Sequence, residues 1–405
     1  MEKQKNIPAL RFPEFQREWE KKKLGEVGDV KMCRRIFNEE TSPLGEIPFF
    51  KIGSFGKEPD AYISKELYFD YRERFSFPKK GDILISAAGT IGRTVVYNGE
   101  DAYYQDSNIV WIANENSIVS NEFLFYILQI VKYNTEGGTI QRLYNNSLRS
   151  TKFSSPTIPE QTKIATFLKA VDDRLNQLKQ KKILLEQYKE GVMQKIFDQE
   201  IRFKEVDGNE FPEWELKKMM EIGEFKNGIN KGKEDFGFGF PFINLMDVFG
   251  KSTISDLKLD LVNANEKELK LYELKKGDVL FIRSSVKKSG VGETSLVLED
   301  LKNTVFSGFL IRFRDTKLGI DLGFKKYCFA VKKFRENLIA LSTTSANTNI
   351  NQESLNELVI PIPSLEEQTK IANFLSAIDE KIYCCTDQIS KTEQYKKGLL
   401  QKMFC

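Results

Sequence analysis

The chain has 405 residues, of which 40% are hydrophobic and 29% charged, a composition typical of soluble globular proteins with about two to four domains. Its formal net charge is +3 and no region is strongly basic, so a nucleic-acid-binding face would have to come from local arrangement of charges. Histidine is absent, which excludes histidine-based zinc sites, histidine-dependent nucleophilic catalysis and HNH-type nuclease centres.

Two further patterns indicate the cellular compartment. No apolar run approaches the roughly 20 residues of a membrane span, and residues 1–15 lack the apolar stretch of a secretory signal. The cysteines are odd in number and form no C-x-x-C pair, which favours reduced thiols over disulfides or a zinc site. We therefore expect a cytoplasmic protein. The cysteines are Cys33, Cys328, Cys384, Cys385 and Cys405.

The chain repeats itself at an offset of roughly 200 residues. WEKKKLGEVG, which begins at Trp19, matches WELKKMMEIG, which begins at Trp214, and KKGDILIS at 79–86 matches KKGDVLFI at 275–282. PEQTKIATFLKAVDDRL at 159–175 matches EEQTKIANFLSAIDEKI at 366–382, and EQYKEGVMQKIF at 186–197 matches EQYKKGLLQKMF at 393–404. Landmarks that recur in the same order indicate a duplicated half.

Each half begins with a mixed pattern of strands and helices. Short apolar runs such as GDILISAAG and SNIVWIAN, and GDVLFIRSS and GFLIRFRD in the second half, alternate with Gly, Asn and Pro and predict strands. Helical spacing predicts helices over 121–133 and 322–334. The pattern is that of an α+β domain.

Each half ends in a predicted long helix whose apolar residues recur every seven positions. A proline precedes each helix, at 159 and 363, where proline is tolerated. Two equal helices pack most economically on each other, so we predict an antiparallel coiled coil; an ordinary core face is the alternative. Its predicted interface residues are Ile164, Leu168, Val171, Leu178, Leu185, Ile371, Leu375, Ile378, Ile389 and Leu399.

The predicted architecture is therefore an α+β fold with two similar globular domains, separated by two long helices that form an antiparallel coiled coil and related by a pseudo-two-fold internal repeat. The predicted boundaries are 1–158 and 201–364 for the domains, 159–200 for the central helical spacer and 365–405 for the C-terminal one. Such a helix spans about 55 Å. DNA readers at its two ends would contact sites about one to one and a half helical turns apart.

Polar runs within each domain are candidates for DNA contact, because Lys and Arg bind phosphates while Arg, Asn, Gln, Ser and Thr read base edges. In the first half the candidates are Arg34, Arg35, Ser86, Thr90, Arg93, Gln141, Arg142, Tyr144, Asn145, Asn146 and Arg149. In the second half they are Asn227, Lys231, Lys233, Arg283, Ser284, Ser285, Lys287, Lys288, Asn347, Thr348 and Asn349. A solvated loop is the alternative for any single residue.

The runs 138–147 and 341–351 differ between the halves, GTIQRLYNNS against LSTTSANTNIN, whereas the scaffold motifs match. Two readers of different half-sites would show this pattern, and the split site would be asymmetric. The glycine turns after the GD[IV]L strands allow close approach of the backbone to phosphate, although a tight hairpin explains them equally well.

The double [PE]-E-Q-T-K-I-A-x-F-L motif, the FPEF and FPEW entries, the K-K-G-D-[IV]-L element and the E-Q-Y-K motif resemble the specificity subunit of bacterial type I restriction–modification enzymes. The resemblance covers essentially the whole chain. It implies two target-recognition domains that read an asymmetric bipartite DNA site, and a coiled coil that sets the gap. It also implies a non-catalytic subunit that docks two methyltransferase subunits and motor-nuclease subunits. Those partners would use S-adenosylmethionine, ATP and Mg²⁺, while this chain would bind no cofactor or metal.

Catalytic motifs of a free-standing enzyme are missing, which disfavours a nuclease or methyltransferase. GINKGKE at 228–234 lacks the spacing of a phosphate loop, no NPP[YF] tetrapeptide occurs, and FGFG at 236–239 is interpreted as a loop. The remaining alternative is a coiled-coil adaptor with two domains for ligands other than DNA, which the absence of net basic charge favours. That alternative predicts a shallow salt dependence of binding, whereas phosphate neutralisation predicts a steep one.

Overall fold

The computed structural model describes residues 6–134, 141–254, 258–344 and 347–405. The chain divides into two compact units. Unit 1 comprises Met1–Lys179 and Asp387–Cys405, and unit 2 comprises Gln180–Thr386. Both mix helices and strands, which confirms the predicted fold class. The finer division into recognition domains and spacers stays a prediction.

Unit 1 combines short strands and helices with parts of two long helices. Its elements in chain order are β1 (Glu20–Lys23), α1 (Leu24–Val27), β2 (Gly28–Lys31), β3 (Ile47–Phe50), β4 (Tyr62–Ile63), α2 (Lys65–Arg74), β5 (Ile83–Ser86), β6 (Thr94–Val96), β7 (Tyr103–Tyr104), β8 (Ile109–Asn114), α3 (Asn121–Ile130), α4 (Asn145–Ser150), β9 (Lys152–Ser155) and the start of α5 (Ile158–Phe197).

The main sheet of unit 1 is antiparallel and has the order β2-β8-β5-β6. Both of its faces are buried. Ile83 and Ile85 pack into one apolar cluster with Trp19 and Phe123, while Leu84 packs into another around Tyr103. Because successive strand residues point to opposite faces, burial on both sides explains the continuous apolar run after the KKGD motif.

Unit 2 repeats this plan with additional short strands and helices. Its elements are β10 (Glu215–Lys218), α6 (Met219–Ile222), β11 (Gly223–Asn227), β12 (Phe236–Ile243), α7 (Leu245–Val248), β13 (Thr253–Ile254), β14 (Asp260–Val262), α8 (Glu266–Tyr272), β15 (Val279–Ile282), β16 (Ser284–Ser285), β17 (Thr294–Val297), β18 (Val305–Phe306), β19 (Leu310–Asp315), α9 (Leu322–Cys328), α10 (Lys332–Ala340), β20 (Thr343–Thr344), β21 (Thr348–Asn349), α11 (Gln352–Glu357), β22 (Val359–Ile362) and α12 (Leu365–Lys402), which continues into unit 1.

The main sheet of unit 2 has the order β11-β19-β15-β17-β13, with only the β17–β13 pairing parallel. Val279 and Phe281 pack into one cluster, and Leu280 and Ile282 into another, as in unit 1. The two copies of the GD[IV]L motif therefore occupy the same place in their sheets.

Two predictions about elements were wrong in detail. The FGFG segment is not a loop: it begins β12, where Gly237 and Gly239 both have φ of +95°, a conformation that suits glycine. The helix predicted over 322–334 is broken between α9 and α10, and the buried Phe329 and Val331 lie at the break. The tertiary core overrides the helical spacing there.

The long helices run antiparallel within each unit. In unit 1, Lys396 pairs with Asp172 at 2.6 Å and Glu393 pairs with Lys179 at 2.8 Å. Residue numbers therefore increase along α5 in the direction in which they decrease along α12. Most of the predicted interface residues are buried, and three are half-buried. The buried ones are Ile164, Leu168, Leu178, Ile371, Leu375, Ile378 and Leu399; the half-buried ones are Val171, Leu185 and Ile389.

The PEQ and EEQ motifs anchor each long helix to its globular domain. In unit 1, Arg11 donates two hydrogen bonds to the buried Glu160 carboxylate, at 2.7 and 2.8 Å, and Trp19 Nε1 donates a third at 3.2 Å. The following Gln161 accepts from the backbone N–H of Ser120, just before α3. These bonds connect Arg11 and Trp19, near the start of the repeat, with the EQ motif at the start of its long helix.

Unit 2 builds the same anchor. Arg202 and Trp214 both donate to Glu367, whose side chain is fully buried, at distances of 3.0 and 2.9 Å. Gln368 accepts from the backbone N–H of Asp321, just before α9. The motifs that reveal the repeat therefore form joints, which are hydrogen-bonded contacts between a long helix and its globular domain.

A second joint lies farther along the helices. In unit 1, Tyr126 of α3 donates to Asp172 at 3.0 Å, and Asp172 also pairs with Lys396 of the other helix. In unit 2, Asp379 takes the place of Asp172: it accepts from Tyr327 at 2.8 Å and pairs with Lys189 at 2.6 Å. Each joint therefore ties a domain helix to both long helices.

Candidate nucleic-acid interface

The candidate residues gather mostly at one end of the main sheet, where β5 ends and β8 begins in unit 1. The segment after β5 meets the polar run there: Leu143 N–H donates to Ala87 O at 2.8 Å, and Ala88 forms an isolated antiparallel bridge with Arg142. Backbone pairing thus brings together two runs that lie far apart in sequence.

A surface groove of about 390 Å³ forms at this place in unit 1. Its walls combine a cation, an aromatic ring and amides, which are groups able to bind phosphates and base edges. Arg142 and Tyr144 are exposed on it. The lining residues are Met32, Ala87, Ser107, Arg142, Leu143, Tyr144, Asn145 and Asn146.

Some unit 1 candidates serve the fold. The Ser86 side chain is buried, donates to Thr90 O at 2.5 Å and accepts from Arg93 N–H at 2.9 Å, so it closes the turn after β5. The Arg93 guanidinium donates to Phe55 O at 2.8 Å. Thr90 is exposed on the turn. Their contact with DNA stays a prediction, with Thr90 the best placed of the three.

Three of the candidate arginines of unit 1 are exposed outside the groove lining. Arg34 and Arg35 stack on aromatic rings, with centroid distances of 5.2 Å to Phe75 and 5.5 Å to Phe37. Arg149 pairs with an exposed Asp29 at 3.2 Å. Gln141 is exposed beside Arg142, whereas residues 139 and 140 of the same run lie outside the described residues.

In unit 2 the corresponding runs form a small antiparallel ribbon with the order β16-β21-β20. Ser284 pairs with Asn349 and Ser285 with Thr348, and Ile350 N–H donates to Arg283 O at 3.0 Å. Thr348 is buried, whereas Asn347 and the neighbouring Lys287 and Lys288 are exposed. Residues 345 and 346 lie outside the described residues. A β-ribbon is one of the shapes that the DNA major groove admits.

The third run of unit 2 reaches the same place. Ile229 bridges Ser307, just before β19, and the Gln352 side-chain amide packs against Asn227 at the end of β11. Lys231 pairs with the half-buried Glu268 at 2.9 Å, which neutralises its charge, while Lys233 is exposed.

The turn that directly precedes β8 in unit 1 and β19 in unit 2 was not predicted from the sequence. In unit 2 this turn carries Gly308 and Phe309, and Arg283 Nη1 donates to Gly308 O at 3.3 Å. In unit 1 the equivalent positions are Ser107, which has a positive φ of 59°, and Asn108. These residues are the first two of the SNIVWIAN and GFLIRFRD runs, which predict strands, and no spacing pattern shows that they form a turn instead.

Other kinds of site find no support within the described ranges. No group of three or more Cys, Asp or Glu side chains there is placed to hold a metal ion. Among the same residues, no helix combines the length and apolarity that crossing a membrane requires. Residues 228–234, whose spacing does not match a phosphate loop, lie between β11 and β12 beside Ser307.

Comparisons with known proteins agree with the duplicated architecture. The family model for the type I restriction modification DNA specificity domain matches the chain twice, at residues 16–187 and 212–393. A Haemophilus influenzae protein named as a type I restriction enzyme specificity subunit is 53% identical over 156 residues, which are 38% of this chain and 40% of that protein. The match thus spans less than half of that relative.

Two further proteins are similar over a larger share of the chain. The type I restriction enzyme MjaVIII specificity subunit of Methanocaldococcus jannaschii is 26% identical over 308 residues, 73% of this chain and 72% of that protein. The crystal structure of a type I restriction–modification S subunit from M. genitalium has a TM-score of 0.58 at 17% identity, covering 98% of this chain and 99% of that one. That structure supports the fold alone. Because the family model matches both repeats and most of the sequence, the chain belongs to the type I restriction modification DNA specificity domain family.

Proposed function

We propose that this chain is the DNA-recognition subunit of a type I restriction–modification complex. Each repeat reads one part of an asymmetric bipartite site, and the long helices set the gap between the parts. The chain performs no catalysis itself. It docks two methyltransferase subunits, which use S-adenosylmethionine, and motor-nuclease subunits, which use ATP and Mg²⁺.

One observation carries this proposal: the two units present equivalent surfaces built on equivalent strands, with different side chains. In unit 1 the groove carries Arg142, Tyr144 and two asparagines, while in unit 2 the ribbon carries hydroxyl groups, Arg283 and lysines. A shared scaffold with unlike polar surfaces suits the reading of two unlike base sequences, because specificity lies in contacts to base edges.

The test is adenine-methylation mapping in cells that express this chain with its methyltransferase. We expect methylation at a single split motif, and no such motif when this chain is omitted. The purified complex should protect that motif, and its binding should weaken steeply with salt, because each phosphate contact contributes about −0.9 to the log–log slope. Equal affinity for scrambled duplexes, with a shallow salt dependence, would contradict the proposal and favour an adaptor.

A further inference from the structure

Apolar side chains stand exposed within the polar candidate surface of unit 2. Phe309 is 57% exposed, Val286 84% and Phe249 40%. Val286 directly follows β16, and the Phe249 ring and the Ser285 hydroxyl both contact Gly290, where a Cβ would lie 3.0 and 2.5 Å from them. Phe309 O accepts from Arg283 N–H at 2.8 Å. The Phe249 ring and the Phe309 backbone therefore contact the segment 283–290, which includes Val286.

The backbone that carries Phe309 is fixed by hydrogen bonds. Ser307 and Gly308 donate their N–H groups to Ile243 O and Ile229 O, at 2.9 and 2.8 Å, and Leu310 N–H donates to Ser307 O at 2.9 Å. Phe309 N–H itself donates to Ser307 Oγ at 3.3 Å. The exposed ring thus stands on a preorganised turn, and such rigidity favours binding because little order is lost when a contact forms.

Gly308 makes this turn possible. A Cβ at that position would lie 1.9 Å from Asn230 Oδ1, so the Asn230 side chain closes tightly over the glycine. In unit 1 the residue that corresponds to Phe309, directly before β8, is Asn108. Unit 2 therefore offers an apolar group where unit 1 offers an amide.

The segment 283–290, whose Arg283 N–H donates to Phe309 O, also carries cations that suit a polyanion. Lys287 and Lys288 are exposed, and neither forms an ion pair with a side chain in the described part of the chain. The hydroxyls and amides of the ribbon lie beside them. An apolar group next to a segment that carries cations and hydrogen-bonding groups fits the DNA major groove, where the C5-methyl of thymine is the apolar feature that distinguishes bases.

We propose that Phe309 reads a thymine through its C5-methyl group in the part of the site that unit 2 binds. This inference rests on the proposed function. The ring covers the methyl group and removes it from water, which makes thymine preferable to cytosine at that position. Loss of one buried methyl contact corresponds to about fourfold weaker binding.

The experiment uses the complete methyltransferase complex and the site found by methylation mapping. Each thymine of the site is replaced in turn by deoxyuridine, which removes only the C5-methyl group, and the dissociation constant is measured for the wild type and for Phe309→Ser. We expect one substitution to weaken wild-type binding about fourfold and to leave binding of the variant unchanged. The matched control is Leu318→Ser, at an exposed apolar residue beyond the other end of β19, and it should retain the wild-type response.

Three outcomes would overturn this inference: a site with no thymine, wild-type binding that no deoxyuridine weakens, or a loss that is equal in the wild type and in Phe309→Ser. A Phe309→Ser complex that binds weakly yet responds to deoxyuridine like the wild type would indicate a stacking or structural role instead. Failure of the proposed function is recognised separately, because the wild-type complex would then not prefer the mapped site over a scrambled duplex.

Discussion

The Lys189 ammonium lies 2.6 Å from Asp379 Oδ1, and both side chains are half-buried between the two long helices of unit 2. Asp379 also accepts hydrogen bonds from Lys326 and Tyr327. Burial alone would raise the pKa of this carboxyl, but the bonds from two lysines and a tyrosine outweigh burial and lower the pKa. The charged form of Asp379 therefore stabilises the fold.

Asp379→Asn should lower the free energy of unfolding by about 1–3 kcal/mol at pH 7, because it leaves Lys189 and Lys326 without their anion. A carboxyl whose pKa is lower in the folded state stabilises above its unfolded pKa of about 4, and this contribution is lost as the pH falls through the folded value. Urea unfolding at pH 7 and pH 3 should therefore show a smaller difference at pH 3. Asp173→Asn is the control, because its pair with Lys169 is exposed and contributes little; an equal loss in both variants would contradict the prediction.

Arg202→Met tests the anchor of unit 2. It leaves the fully buried Glu367 carboxylate with Trp214 but without its cation, and we expect a loss of about 3–5 kcal/mol in the free energy of unfolding. Glu213→Gln removes the exposed partner of the same arginine and should change stability by less than about 0.5 kcal/mol. Thermal and urea unfolding midpoints provide the comparison, and similar midpoints for the two variants would refute the role of the anchor.

Arg142→Ala and Arg283→Ala should weaken or relax recognition in different parts of the DNA site. A bidentate contact between arginine and guanine contributes about 1–3 kcal/mol. Binding to duplexes altered in one half-site at a time measures the effect. Because Arg283 also bonds Gly308 O, its unfolding midpoint must be measured beside the binding. If both substitutions affected the same half-site, the assignment of one half-site to each repeat would be wrong.

Shortening one long helix by a heptad should change the gap that the complex tolerates. Seven residues keep the apolar stripe in phase but displace a lysine–aspartate pair such as Lys396–Asp172 from register. Methylation mapping of such a variant reports the gap directly. An unchanged gap would show that the helices do not set the distance between half-sites.

Cysteine labelling tests the packing of the helices and cores. Cys384 is exposed, whereas Cys33, Cys328 and Cys385 are buried, and burial raises the pKa of Cys33 to about 12. Cys405 is exposed as well. A thiol reagent at pH 8 should therefore modify Cys384 and Cys405 in the native protein and the three buried thiols only on unfolding, because the thiolate is the reactive form. Replacing both exposed cysteines, Cys384→Ser with Cys405→Ser, should remove labelling of the native protein. Rapid labelling of Cys385 in that variant would contradict the helix packing.

The repeat and the heptads were sufficient to predict the mixed fold and the antiparallel helices, because periodicity records which face of a helix is buried. The motif PEQ could be found in the sequence, but its role could not, since the Arg11 and Trp19 that bind Glu160 lie about 140 residues upstream. The turn with Phe309 escaped prediction for a similar reason. Its conformation depends on backbone bonds from β12 and the segment at Ile229, which local patterns do not encode.

The pairing of charges between the long helices has a consequence for the origin of the chain. Asp172 belongs to the first repeat and its lysine to the second, while Asp379 belongs to the second and its lysine to the first. A polypeptide holding a single repeat would therefore carry an aspartate and a lysine that cannot neutralise each other internally. An ancestor of half this length could complete its joints by reciprocal exchange between two identical molecules, and gene duplication with fusion would then have made that exchange internal and freed the two surfaces to diverge.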